Sequence, residues 1–215
     1  MEDTVMIKRP GYTFSKRFLD ISVALFALIL LSPVFAVISL FYVFGANKGP
    51  IFYKQRRIGE NGQPFYIFKF RSMVVGAEEK LYSNPALYDK FVENGYKLPT
   101  EEDPRITKFG AFIRKTSLDE LPQFFNILIG DMTVIGPRPV VESELVEYES
   151  PERIAKFLSV RPGAMGLWQG SGRSEIAYPQ RADIELEYVD QASIWFDFVV
   201  LFKNVGAIFA GTGAE

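Results

Sequence analysis

Asp119 and Glu120 are adjacent carboxylates in Lys115-Thr-Ser-Leu-Asp119-Glu120-Leu-Pro-Gln-Phe-Phe-Asn126, a stretch followed by Gly130-Asp-Met132 and Gly136-Pro-Arg138-Pro139. The chain has no His and no Cys. That removes imidazole bases, thiolate nucleophiles and the usual zinc ligands. Carboxylates, Arg, Lys, hydroxyls and a hard, oxygen-liganded cation remain. Two readings of the pair share one geometry. Ser117-x-x-Glu120 has the spacing of a capping box, acidic residues in a first turn complement the helix macrodipole, and Pro122 can move the cap to Leu118 or Asp119. The same helix N-terminus would keep a carboxylate ionised and attract phosphate or a metal–phosphate complex. Asp119 could then act as a nucleophile while Glu120 handles a proton. Capping and catalysis are compatible, so the surrounding residues have to decide.

Basic and Gly-rich segments accompany the pair. Prolines on both sides of Arg138 stiffen the backbone, so less entropy is lost when its guanidinium holds a phosphate bidentately; the alternative is a turn with a solvated Arg. Between Arg161 and Arg173 lie four Gly, which suggests a loop whose amides and guanidiniums approach an anion. Trp168 in that loop stacks on a base or anchors the loop, anchoring being the expected role. Residues 51–58 and 64–70 are aromatic, β-favouring runs around Asn61-Gly62, the pattern of a β-hairpin. Lys69 and Arg71 on it face either a ligand or a solvated or membrane surface.

The elements that must position these groups begin with a membrane segment. A net charge of −2 does not advertise nucleic-acid binding, and 215 residues suit one domain. Residues 1–17 form a polar, basic N-terminus; from Ile21 to Asn47 there is no charged residue. That run exceeds the roughly 20 residues that span a hydrocarbon core. Ser32 and Pro33 interrupt it, and basic residues flank both ends: Lys8, Arg9, Lys16 and Arg17 before it, Lys48, Lys54, Arg56 and Arg57 after it. Pro33 breaks the backbone ladder and basic flanks mark the cytoplasmic side, which favours a hairpin with both ends cytoplasmic over a Pro-kinked span. Helical periodicity predicts an amphipathic helix over 75–98, interrupted at Asn84-Pro85, then a basic one over 107–115, the dyad helix to about Ile129, and helices over 140–158 and 180–190. Residues 194–209 read as an aromatic interfacial helix or a buried core helix.

These residues together resemble the bacterial sugar transferase family, the small monotopic phosphoglycosyl transferases. The resemblance runs from about Lys16 to Phe209. It rests on Ser32-Pro33, Gln55-x-Arg57-x-Gly59, Lys69-Phe-Arg-Ser-Met73, Asp103-Pro-Arg105, Thr116 to Gln123, Asn126, Gly130-Asp-Met132, Gly136 to Pro139, Arg161-Pro-Gly163, Gly166, Gln169 and Gly172-Arg173. Each is weak alone; in this order they are specific. The resemblance implies an α+β, mainly helical fold, with a re-entrant membrane helix over 18–47 and a β-hairpin. Amphipathic interfacial helices surround a cytoplasmic catalytic core over 48–215, on the inner membrane. It also implies transfer of a sugar-1-phosphate from a UDP-sugar to undecaprenyl phosphate with Mg²⁺, through a phosphosugar on Asp119 and with release of UMP. Glu120 would handle protons or support the metal that Asp119 binds. Arg138, Arg173, Arg71, Lys69 and Gln169 would contact substrate or phosphate. A homodimer is compatible with this reading. The competing readings are a catalytically silent, membrane-anchored scaffold and an anion-binding module without turnover.

Overall fold

The computed structural model describes residues 10–93, 98–172 and 176–210. It is α+β and mainly helical, as expected. Its residues fall into two compact units, neither continuous in sequence. Among the described residues, one combines 10–29 with Gln55–Ile67 and those between 123 and 210; the other combines Leu30–Lys54 with those between 68 and 122.

The apolar run folds as α1 (Pro10–Leu30) and α2 (Ser32–Leu40), bent by 53° at Leu31. Pro33 sits in the first turn of α2, where a missing N–H leaves no bond unmade. The break therefore falls where Ser32-Pro33 predicts it. Among the described residues no single helix is long and apolar enough to cross a membrane; this bent pair passes that test of length and composition only when taken together. Helix α1 reaches back to Pro10, through residues expected to form a separate polar N-terminus.

In the first unit, charged residues of α1 tie that helix down. Asp20 is buried and accepts hydrogen bonds from Thr133 Oγ1 at 2.8 and 2.9 Å and from the Val134 N–H at 2.8 Å. Arg17 donates to the carbonyls of Ile127 and Leu128 at 2.6 and 2.8 Å, closing the C-terminal end of α6 (Gln123–Ile129). Strand β3 (Thr133–Ile135) pairs in parallel with β4 (Gly163–Met165), Thr133 opposite Gly163 and Ile135 opposite Met165. A Cβ on Gly163 would lie 2.1 Å from the Gly136 nitrogen, so this glycine serves close backbone packing rather than the anion cradle expected of the loop. Helix α7 (Pro151–Phe157) is preceded by a 3₁₀ turn, Glu142–Tyr148, in place of the single helix expected over 140–158. Glu149 takes φ of 66° there, and Ser150 restarts the chain by capping the Arg153 N–H. Helices α8 (Gln180–Gln191) and α9 (Ile194–Ala210) complete the unit.

The hairpin is formed by β1 (Phe52–Ile58) and β2 (Pro64–Phe70), with Asn61 and Gly62 at positive φ in the turn, as the sequence predicts. The second unit adds α3 (Ala77–Tyr82) and α4 (Pro85–Glu93), broken at Asn84 as expected, and α5 (Lys108–Lys115), capped by Thr107 Oγ1. Its core joins Ile38, Tyr42, Phe70 and Ile113, with Phe109, Leu118 and Leu121 packed against them.

Helix α5 meets the chain after β2 at Gly110, where an added Cβ would lie 1.8 Å from the Ser72 carbonyl oxygen. Backbone cannot yield as a flexible side chain does, so Gly110→Ala should destabilise the fold by about 3 kcal/mol. Gly11→Ala, where the Cβ meets nothing within 4 Å, should leave stability nearly unchanged. Denaturant melts of the detergent-solubilised proteins measure both.

Candidate active site

Asp119 lies on a single 3₁₀ turn, Leu118–Glu120, entered through Ser117 at φ 54°. The Ser117 side chain makes no capping bond. The capping box and the dyad helix to Ile129 are therefore corrected: the pair precedes α6 on a separate turn, with Pro122 between them. The physical reason is local. A left-handed Ser117 turns its hydroxyl away from the N–H groups it would have to cap.

What positions the pair is its neighbourhood in the second unit. Leu118 and Leu121 pack into the apolar cluster around Ile113 and Phe70, which draws Asp119 inward to 8% exposure. Lys69 Nζ, near the end of β2, reaches Glu120 Oε1 at 2.8 Å. Arg114, in the last turn of α5, is held by its Nε–H bond to Ser72 Oγ at 2.8 Å. Among the described residues no cation forms an ion pair with Asp119. Burial pushes its carboxyl up to about 6; Lys69 pulls it back, Glu120 pushes it further up, and Arg114 pulls it back. Arg114 escaped the sequence reading, which placed it on an amphipathic face. Its spacing, five residues before Asp119 in the last turn of a short helix, is the signal that could have found it. Mg²⁺ is commonly bound by one or two carboxylates, with waters and substrate phosphates supplying the rest. No group of three or more acidic ligands occurs among the described residues. Two adjacent carboxylates, one buried without an ion-pair partner, fit such a partial donor set.

The Pro-Arg-Pro loop lies in the first unit, and its frame is distinct. The Arg138 N–H points at both oxygens of Glu185, at 3.2 and 3.3 Å. Glu185, on α8, is fully buried; burial pushes it up to about 7, against the Arg138 N–H and the charges of Arg181 and Arg138. Arg57 Nη1, on β1, donates to the Pro139 carbonyl and to Glu144 Oε1, both at 3.3 Å. Trp168 anchors its loop through an Nε1–H bond to the Ile176 carbonyl at 2.9 Å, and the Arg181 guanidinium lies over its ring at 4.3 Å. That covered face is closed to base stacking. Glu144, Arg181 and Glu185 were read only as parts of charged helices.

The other expected contacts divide. Arg71 is buried, and its guanidinium is committed to the carbonyls of Pro50 at 2.7 Å, Met73 at 2.8 Å and Asn47. These three bonds frame the loop before β1. Lys69 keeps an exposed edge beside Glu120. Gln169 is buried, with Nε2 3.4 Å from the Ala164 carbonyl. Arg173 lies outside the described residues.

The profile of the bacterial sugar transferase family matches residues 11–211. The chain is 43% identical over 210 residues to the exopolysaccharide production protein ExoY of Sinorhizobium fredii, covering 96% of this chain and 90% of that one. It is 41% identical over 204 residues to the undecaprenyl-phosphate galactose phosphotransferase of Salmonella typhimurium, covering 94% of this chain but 42% of that protein. The UDP-glucose:undecaprenyl-phosphate glucose-1-phosphate transferase of Escherichia coli is 35% identical over 207 residues, 93% of this chain and 41% of its own.

A folded-state pKa near 6, against the ordinary 3.8, means the folded protein binds this proton more tightly than the unfolded chain. Stability is therefore favoured below about pH 4 and falls as pH rises to about 6, by about 3 kcal/mol in total. Asp119→Asn removes the ionisation. Without divalent cations, the variant should match wild type at pH 4 and exceed it by roughly that amount at pH 7.5 in denaturant melts. Equal differences at both pH values would mean an Asp119 with an ordinary pKa.

Proposed function

Because the chain belongs to the bacterial sugar transferase family, we propose that it transfers a sugar-1-phosphate from a UDP-sugar to undecaprenyl phosphate and releases UMP. The observation that carries this reading is Asp119 itself: a buried carboxylate without an ion-pair partner among the described residues, beside a Glu120–Lys69 pair and an anchored Arg114. Asp119 attacks the phosphorus that bears the sugar. The bond to the bridging oxygen breaks, UMP leaves with that oxygen, and the phosphosugar stays on the Asp119 carboxylate. A phosphate oxygen of undecaprenyl phosphate then attacks the same phosphorus and releases Asp119. Partial desolvation leaves the carboxylate more reactive than in water, while Lys69 and Arg114 keep enough positive potential to retain its charge near neutrality. Glu120 handles the proton that the leaving or arriving phosphate carries. Asp119, with Glu120 close by, would hold Mg²⁺, which when bound neutralises phosphate charge as it shifts. Arg138, its backbone pinned at Glu185, binds a phosphate.

The acceptor is a lipid, and the surface of the chain suits that. Phe18, Phe26, Ile29 and Leu30 on α1 and Trp195 and Phe202 on α9 are exposed. Asp20 is bonded to Thr133 and so sits outside any hydrocarbon layer. From there to Leu31 the helix advances about 16 Å, near half of a core about 30 Å thick. The 53° bend follows at that point. We therefore read α1 and α2 as re-entrant from the cytoplasmic face of the inner membrane.

Purified wild-type protein with Mg²⁺ should release UMP continuously from one member of a UDP-sugar panel only when undecaprenyl phosphate is present; without the acceptor, release should stop at about one equivalent per enzyme. Asp119→Asn should fold and lose at least about a thousandfold in rate. Substantial turnover by that variant removes the nucleophile assignment; no turnover by wild type with any donor supports the silent scaffold.

Topology has its own measurement. A single Cys placed by Glu2→Cys should resist an impermeant thiol reagent in intact cells and label after lysis; strong labelling of intact cells would show a spanning helix. Adding Ser32→Leu with Pro33→Ala should restore the backbone ladder and move part of the population to external labelling.

A further inference from the structure

Arg181 presents a buried pair of unmatched donors. Its Nε and Nη2 are buried and, among the described residues, have no hydrogen-bond partner. These two atoms form one edge of the guanidinium. Arg105 uses the same edge to grip the Asp103 carboxylate, at 2.8 Å from Nε and 2.7 Å from Nη2. At Arg181 the same edge is preformed and buried, and no acceptor among the described residues meets it. Its Nη1 side is held by Glu144 Oε2 at 3.3 Å, and the guanidinium lies over the rings of Trp168 and Tyr178, at 4.3 and 4.7 Å from their centres. Buried guanidinium donors are costly to leave unmatched, and a planar pair of donors matches an oxyanion.

Charge points the same way. Arg138 lies 5.9 Å from the centre of the same indole, and Arg57 reaches Glu144. Among the described residues the Arg181 and Arg138 guanidiniums gather at one indole, where a doubly charged oxyanion would be matched by both. We propose that Arg181 and Arg138, set by the Trp168 indole, form a phosphate-binding site, and that the Nε/Nη2 edge of Arg181 takes the phosphate bidentately. The ligand class is a phosphate ester or diphosphate. The assignment of that ligand to a substrate rests on the transferase reading above; the anion site does not.

The chain has two Trp, so Trp195→Phe leaves Trp168 as the single indole reporter. In that background, titration of full-length protein with inorganic pyrophosphate should change Trp168 fluorescence saturably. Arg181→Gln should weaken binding about tenfold or more. Arg181→Lys keeps the charge without the fork and should also weaken it, which preserves the test if the Gln variant folds poorly. Arg153→Gln, removing an Arg that pairs with the exposed Asp183, should change nothing. Unchanged pyrophosphate binding in Arg181→Lys, or no saturable response in the parent, overturns the proposal. UDP displacing pyrophosphate assigns the site to the donor, a short-chain polyprenyl phosphate displacing it assigns it to the acceptor, and displacement by neither overturns the substrate assignment. Turnover separates the two readings. Pyrophosphate binding without sugar-phosphate transfer refutes the transferase alone; transfer with kcat and KM unaltered by Arg181→Lys refutes this site alone.

Discussion

The Asp20 carboxylate is the constraint on which the first unit depends. A buried carboxylate must be matched by donors, and Thr133 Oγ1 with the Val134 N–H supplies three contacts at 2.8–2.9 Å. That fixes the register of α1 against β3. Four residues earlier Lys16 donates to the Ile135 carbonyl and pairs with Asp197 of α9, and Arg17 closes the end of α6. One face of one helix therefore sets β3, α6 and α9. The apolar half of α1 starts immediately after this anchor, so where it begins is fixed by polar bonds and not by the diffuse preference of apolar residues for one another.

Asp103 and Asp119 show two ways of burying an acid in the second unit. Their exposures are 5% and 8%. Burial raises both, yet Asp103 ends below the usual carboxylate range because Arg105 meets it with two side-chain bonds, a backbone bond and a full charge. Asp119 ends well above that range because burial raises it further than Lys69 and Arg114, acting through space, bring it down, and Glu120 adds to the rise. The first arrangement is a closed structural pair. The second leaves lone pairs uncommitted, as a nucleophile or a metal ligand requires.

Helix α9 has an outside apolar face and a polar inside one. Asp197 and Asn204 point inward, Asp197 to Lys16 and Tyr188, Asn204 to the carbonyls of Gly166 and Val200. Trp195, Phe198 and Phe202 point outward and are exposed. Asp197 interrupts the apolar pattern of 194–209 for this reason: it is a lock on α1, not a concession to water. The segment is therefore buried along one face and exposed along the other.

Local chemistry was legible in the sequence. Pro33 cannot continue the backbone ladder of a preceding helix but fits the first turn of a new one, so the break at Leu31 needed no tertiary information; Asn61-Gly62 likewise specified the turn, and Asn84-Pro85 the gap between α3 and α4. The ordered motifs identified the family, and Asp119 and Arg138 could be singled out from residue type and neighbours. Four features belonged to the tertiary structure. Ser117-x-x-Glu120 has capping spacing, but packing of Leu118 and Leu121 into the core pulls the turn off the helix and leaves Ser117 left-handed. Arg71 and Arg181 are both arginines beside charged or aromatic residues. Only the fold shows that the carbonyls of Asn47, Pro50 and Met73 occupy one while a buried edge of the other meets no acceptor among the described residues. Gly163 could serve an anion or a close strand; the register of β3 on β4 selects the strand. A side chain's partner depends on which distant backbone arrives beside it, and long-range packing settles that after local preferences have been satisfied.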